Sequence, residues 1–163
     1  MLIRGGEIRP RRKMITAAQI KELREQTGLS IGQISAALEE AGGDKTRALE
    51  ILKEKGAEIA RKKADRTLGS GVVAAYVHAG ESVGAMVELL CETDFVAKNP
   101  EFKSAAREIA MHIAAMNPSD AGELLEQVYI KGGGETVGEL INGIIQKFGE
   151  RTEVGQFSRL SIN

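Results

Sequence analysis

The sequence predicts an α+β protein, in which an N-terminal three-helix bundle precedes a small antiparallel sheet covered by helices. Between Thr16 and Gly56, apolar residues recur at helical spacing in three short runs. Between Gly71 and Glu92, two runs rich in β-forming residues flank a turn at residues 79–81. Two further helical runs and a strand-like segment follow. With 163 residues, 42% of them apolar, the chain suits one domain or two small ones.

Residues 14–56 are predicted to form the bundle. Capping boxes at Thr16–Gln19 and Ser30–Gln33 open the first two helices, and Asp44 caps the third. The helices are expected to end at Gly28, Gly42-Gly43 and Gly56. Their apolar faces contain Ile20, Leu23, Ile31, Ile34, Leu38, Ala41, Ala48, Leu49, Ile51 and Leu52. A bundle of about forty residues has limited stability, so we interpret it as a docking domain rather than a catalytic scaffold.

A charged helical linker over residues 57–68 is predicted to lead into an α+β core domain at residues 69–163. Strands over Gly71–Gly80 and Ser82–Glu92 form a hairpin with a turn at Ala79-Gly80-Glu81. Every other residue of the second strand is apolar, which predicts one buried face: Val83, Ala85, Val87, Leu89 and Cys91.

Two helices and a closing strand complete the predicted core domain. Asn99-Pro100 begins a long helix that ends at Asn117-Pro118. After a loop or short helix, a capping box at Thr136–Glu139 opens the last helix. Segment Val154–Ile162 is predicted to be a strand with a bulge near Phe157, where its alternation changes phase. The expected buried stripe of the long helix is Phe102, Ala106, Ile109, Ala110 and Ile113.

The charge distribution argues against nucleic-acid binding. Residues 1–13 carry five basic side chains and one acidic, which leaves 17 basic and 22 acidic side chains beyond them. A body of net negative charge is a poor match for a phosphate backbone, and 4% aromatic residues supply little base stacking. Because a capped helix follows Met14, we expect Met14 to be the start and residues 1–13 to be a disordered leader or a start-site artefact.

Composition also predicts the compartment. No run approaches the ~20 apolar residues of a membrane-spanning helix, and the N-terminus lacks the apolar region of a secretory signal. The lone Cys91 excludes an internal disulfide framework and a multi-cysteine zinc site. We therefore expect a cytoplasmic protein with no membrane partner.

Candidate catalytic groups are few. Cys91 with His112 or His78 could form a nucleophile–base pair, but Cys91 lies on an apolar strand face and no oxyanion-hole motif accompanies it. The two histidines lack carboxylate or cysteine partners at metal-ligand spacing. The triplet Gly132-Gly133-Gly134 lacks the Gly-Lys-Ser/Thr of a phosphate loop and is read as a turn. We predict that the chain is not an enzyme and that it has no catalytic residue, metal or cofactor.

The segment Thr93–Asn99 breaks the local pattern. It places Phe95 beside Asp94 in a loop between a buried strand and a capped helix, where two or three polar residues would suffice. In one interpretation Phe95 folds back onto the core and Asp94 caps the next turn. In the other, Phe95 protrudes as a wedge for a partner's crevice while the carboxylate competes for charge there.

These residues, together with several other stretches of the chain, resemble the bacterial elongation factor Ts family. The stretch that carries most of the resemblance is Cys91–Asn99, CETDFVAKN. Leu23–Gly28 (LREQTG), Ala37–Asp44 (ALEEAGGD), Ala60–Arg66 (ARKKADR) and Ala110–Pro118 (AMHIAAMNP) are also similar to the family. Looser similarity continues through Thr136–Leu140 and Gly155–Leu160.

The resemblance implies a partner and a mechanism: nucleotide exchange, in which the factor disturbs the Mg²⁺ and phosphate site of the partner, so that GDP is released and GTP can be loaded during peptide elongation. The partner would be elongation factor Tu, bound to GDP or nucleotide-free, and the bundle would resemble ubiquitin-associated domains. Docking residues would be Leu23, Arg24, Thr27, Gly28 and His112. The site that dislocates Mg²⁺ would be Thr93, Asp94, Phe95 and Val96, with Phe95 inserted between partner helices.

Departures from the family pattern bear on assembly. A helical insert of several dozen residues after Asn117-Pro118 is missing, and Ser158 stands where some short members carry a dimer-linking cysteine. A homodimer stays open, whereas a covalent one is not expected. The alternative from another class is a ubiquitin-associated-like binding adaptor without exchange activity, for which the Asp94-Phe95 pair would have no use. A second alternative, an RNA-associated translation protein, depends only on the basic leader at residues 1–13.

Overall fold

The computed structural model describes residues 14–162, so the predicted leader lies outside the described residues. The described residues divide into two compact units, with the boundary between Leu52 and Lys53. None of the helices within residues 14–162 is long and apolar enough to cross a membrane.

The described part of the first unit confirms the predicted bundle helices. Helix α1 spans Ala17–Thr27, α2 spans Ile31–Glu40, and α3, Lys45–Lys62, begins in this unit. Both capping boxes form as predicted, and Asp44 accepts the backbone N–H of Arg47 at 2.8 Å. Ile31 is an exception among the predicted core residues. It lies at the first position of α2 and is 53% exposed. The buried core is Leu23, Leu29, Ile34, Ala37, Leu38, Ala48, Ile51 and Leu52.

The prediction that Gly56 ends the third helix is wrong, because α3 continues to Lys62. Gly56 is buried against α7, Val137–Phe148. A Cβ at this position would lie 2.9 Å from Gln146 Oε1 and 3.5 Å from the Asn142 carbonyl oxygen. The missing side chain therefore permits a close approach of two helices and does not terminate one. The predicted linker is continuous with α3 in its first half.

Within residues 14–162, the second unit contains an antiparallel sheet in the order β1-β2-β3. The strands are Ser70–Val77, Val83–Cys91 and Thr152–Ser161. Positive φ values at Gly80 (97°) and Glu81 (56°) make the predicted turn. The predicted bulge is confirmed, since Val87 pairs with Phe157 but Leu89 pairs with Val154. There the Glu88 carboxylate accepts the Gln156 N–H at 2.9 Å.

Besides the end of α3, four helices accompany the sheet in the described part of this unit. They are α4 Asp94–Ala97, α5 Pro100–Met116, α6 Ala121–Glu126 and α7. Helix α5 packs across β1 and β2, and all five residues of its predicted stripe are buried. The segment after Pro118, left open between loop and helix, contains α6.

The other face of the sheet is uncovered by these elements. It exposes apolar side chains of all three strands: Val73, Val77, Met86 and Leu160. We call this the outer face.

Candidate functional site

The segment predicted as a loop at Thr93–Asn99 contains the one-turn helix α4. Thr93 caps it, with its hydroxyl accepting the Val96 N–H at 3.5 Å. The backbone N–H groups of Ala97 and Lys98 donate to the carbonyl oxygens of Thr93 and Asp94 at 3.2 and 3.0 Å. The Asn99-Pro100 pair then starts α5, so the turn is confined between two fixed elements.

This turn separates its apolar side chains into outward and inward ones. Phe95 is 81% exposed, whereas Val96 is 4% and Ala97 5% exposed. The interpretation in which Phe95 folds back onto the core is therefore wrong. Val96, which the resemblance assigned to the wedge, packs into the core of the second unit and so anchors α4 to that core.

Asp94 lies beside Phe95 on the exposed side of α4. Its carboxylate pairs with Lys98 Nζ at 2.5 Å, and this hydrogen bond and charge lower the pKa of the Asp94 carboxyl below its ordinary value. Asp94 is thus negative at neutral pH. Thr93 and not Asp94 is the cap, so that part of the core-packed interpretation is also wrong.

Two carboxylates that were not predicted as site residues hold the N-terminal end of α4. Glu150 accepts the N–H groups of Glu92 and Thr93 at 3.2 and 3.0 Å and the Thr93 hydroxyl at 2.5 Å. Glu92 in turn accepts the Arg151 N–H at 2.6 Å. No local signal could have indicated these bonds, because their partners are 57 to 59 residues apart.

The predicted docking residues of the bundle lie at the end of α1. Arg24 is exposed, and Gly28 ends the helix with φ 67°, its N–H donating to the Arg24 carbonyl at 2.8 Å. The half-buried Thr27 donates its hydroxyl proton to the Leu23 carbonyl at 2.7 Å. Leu23 itself lies inside the bundle core, so any docking role of Leu23 must act through the packing of α1.

Comparison with known proteins adds an independent observation. Residues 92–163 match the family described as Elongation factor TS. Elongation factor Ts of Desulforamulus reducens is 38% identical over 190 residues, covering 89% of this chain and 88% of that protein. The chain belongs to the elongation factor Ts family. Elongation factor Ts of Caldanaerobacter subterraneus is 37% identical, covering 90% of this chain and 96% of that protein.

Family members differ in length. The protein of Carboxydothermus hydrogenoformans is 56% identical over 105 residues, which is 64% of this chain but 48% of that elongation factor Ts. The matches to the first two relatives run over 190 and 191 residues, more than the 163 of this chain. Those relatives therefore contain residues without a counterpart here, which agrees with the predicted missing insert.

The His112 side chain, which the resemblance to elongation factor Ts assigned to docking, is fully buried in α5. Its Nδ1 accepts the Ile130 N–H at 3.4 Å, so the neutral ring carries its proton on Nε2 and donates to Gln127 Oε1 at 3.0 Å. Any docking role of His112 is therefore indirect, through the segment at residues 127–130.

Burial of His112 predicts a pH dependence of stability. Desolvation lowers the pKa of the His112 imidazole below its ordinary value, although the bond to Gln127 opposes this. As the pH falls below about 6.5, the unfolded state takes up a proton that the folded state refuses. We expect the melting-temperature advantage of wild type over His112→Gln to shrink between about pH 7.5 and 5.5, measured by differential scanning fluorimetry. A difference that stays constant over this range would contradict the prediction.

The other candidate groups have structural surroundings. Cys91 is buried, and burial raises the pKa of its thiol, which donates to the Thr93 carbonyl at 3.2 Å. His78 is exposed and contacts the Tyr76 hydroxyl at 3.0 Å. Among residues 14–162, no three side chains of the His, Cys, Asp and Glu types come together as a metal site.

Proposed function

We propose that this chain binds elongation factor Tu in its GDP-bound and nucleotide-free states and promotes GDP release by disturbing the Mg²⁺ and phosphate site. The observation that carries the proposal is the 81% exposure of Phe95 on a helical turn whose other apolar residues are buried. The Phe95 ring is exposed to water on a backbone fixed by the neighbouring elements, so its apolar surface is available for burial against a partner. Membership of the elongation factor Ts family supports the identity of the partner.

Burial of Phe95 in a crevice of the partner supplies the binding energy. A phenylalanine buries roughly 150–250 Å² on full desolvation, which is worth about 1.5–3 kcal/mol. Because α4 is fixed at its cap and by Val96, little conformational entropy is lost when the side chain docks. An anchor of this kind inserts only if the partner opens, so it binds the opened conformation preferentially.

The Asp94 carboxylate adds an electrostatic contribution. Placed beside the inserted ring, it would disturb the groups that hold Mg²⁺, whose charge neutralises the β-phosphate of GDP. Thermodynamic linkage then determines the effect on GDP affinity. A factor that binds nucleotide-free elongation factor Tu more tightly than the GDP complex weakens GDP binding by the same ratio. The factor makes and breaks no covalent bond, so it is an exchange factor rather than an enzyme.

Mixing the chain with elongation factor Tu loaded with fluorescent GDP tests the proposal directly. Acceleration of GDP release that depends on the concentration of this chain is the expected result. Binding without any acceleration would instead favour a ubiquitin-associated-like adaptor.

The bundle is proposed to supply affinity rather than exchange. Reversing the charge of exposed Arg24 in Arg24→Glu should raise the concentration for half-maximal GDP release about threefold and leave the maximal rate unchanged. A stopped-flow titration measures both quantities. Arg107→Glu, an equal charge change at an exposed position of α5, is the control and should have no such effect. A lower maximal rate in Arg24→Glu would contradict this division of roles.

Pairing of two copies stays a prediction. The outer face supports it, because three strands expose apolar side chains there. Ser158 on β3 has no thiol, so such a dimer would be non-covalent. The molar mass from sedimentation equilibrium decides between monomer and dimer.

A further inference from the structure

The hydrogen bonds that hold the N-terminal end of α4 lie just beyond the end of the β2–β3 ladder. Its last pair is Cys91 with Thr152. Beyond it no ladder pair joins the two segments, so the amides of Glu92 and Thr93 need acceptors other than a β3 carbonyl. The Glu150 carboxylate provides them, at 3.2 and 3.0 Å.

The third bond of Glu150 fixes the cap of α4. The Thr93 hydroxyl has one proton, and it donates that proton to Glu150 Oε1 at 2.5 Å. This sets the orientation of the hydroxyl oxygen, which accepts the Val96 N–H at 3.5 Å. A four-residue helix is unstable alone, so its cap and tertiary contacts determine whether it forms.

A reciprocal bond ties the two segments together. The Glu92 carboxylate accepts the Arg151 N–H at 2.6 Å and pairs with Arg66 at 3.3 Å. The side chain of each glutamate thus binds the backbone beside the other. Bonds from N–H or O–H groups to a carboxylate are stronger than those between neutral groups, so this arrangement resists rotation of the α4 turn.

We propose that Glu150 is a positioning residue, which fixes the cap of α4 and thereby the direction in which Phe95 meets the partner. In this role Glu150 acts through the α4 turn and not through contact with the partner or the nucleotide. The inference rests on the proposed exchange function, in which the placement of Phe95 determines how well the opened partner is bound.

Three variants test it: Glu150→Ala, Glu150→Gln and the exposed control Glu126→Gln at the end of α6. Glu150→Ala should lower the maximal rate of GDP release about tenfold. Glu150→Gln keeps one acceptor oxygen for the backbone amides, but its NH₂ group cannot accept the Thr93 hydroxyl, so an intermediate loss is expected. Glu126→Gln should match wild type. Rates are compared below the measured melting temperature of every variant.

Two further measurements separate positioning from a general loss of structure. In a Phe95→Ala background, Glu150→Ala should change the rate less than twofold, because both changes remove the same interaction. Amide hydrogen exchange by NMR should show faster exchange at Thr93 and Val96 in Glu150→Ala, with the β2 amides unchanged. The same tenfold loss in both backgrounds, or unchanged protection of these amides, would overturn the proposal. If wild type does not accelerate GDP release, the exchange function fails, while the amide data still decide whether Glu150 holds the turn.

Discussion

Replacing Phe95 with alanine is expected to slow GDP release from elongation factor Tu about thirtyfold and to leave the melting temperature unchanged. The ring is 81% exposed, so its removal takes almost no packing from this chain. A desolvated aromatic anchor at an interface is commonly worth about 2 kcal/mol or more. Fluorescent-GDP release at saturating factor and thermal unfolding, measured on the same sample, check both parts.

Asp94→Asn is the companion variant. It keeps the shape of the side chain and removes its charge, so it should reduce binding less than Phe95→Ala and alter the Mg²⁺ dependence of release more. A titration of Mg²⁺ at fixed factor concentration separates the two contributions. A Phe95→Ala protein with wild-type release would end the wedge hypothesis.

Phe102→Ala should have the opposite effects, lowering the free energy of unfolding while changing GDP release little. Phe102 is fully buried at the start of α5 and packs edge-on against Phe148, with ring centroids 5.9 Å apart and planes at 83°. Truncating a buried phenylalanine removes its transfer free energy and leaves a cavity, for about 3–5 kcal/mol. Urea unfolding should show a lower midpoint with an unchanged slope.

Phe95→Ala is the matched control for Phe102→Ala, since both lose the same atoms from α-helical positions in the same unit. Release of GDP per folded molecule should be little changed in Phe102→Ala, because Phe102 lies away from the exposed side of α4. A loss of unfolding free energy below about 1 kcal/mol would contradict the prediction, since it would mean that the core around α5 relaxes into the space left by the ring.

Much of the fold follows from local signals. Three capping boxes, the Asn99-Pro100 start and the turn at Gly80 each depend on residues within four positions, and all form. Two errors remain. At Gly56 the cause is tertiary, because the missing side chain permits the close approach of α7 and does not end the helix. Ile31 is the first residue of α2, where it is 53% exposed and outside the bundle core.

The site was predictable to a similar degree. An aromatic beside a carboxylate in a short connection indicated Phe95 and Asp94, but not whether the ring faces the core. The bonds of Glu150 depend on a partner 57 residues away, and its own neighbourhood in sequence, Gly149 to Arg151, resembles an ordinary helix end. Periodicity cannot report such a contact.

The environment of Cys91 has a practical consequence for spectroscopy. It is the single cysteine of the chain, it is buried, and burial raises the pKa of its thiol. Maleimide dyes react with exposed thiolates, so the native protein should stay unlabelled at neutral pH. A cysteine introduced at an exposed site such as Met116→Cys would then carry the dye alone, and energy transfer to a labelled partner could follow complex formation in real time without removing any native residue of the site.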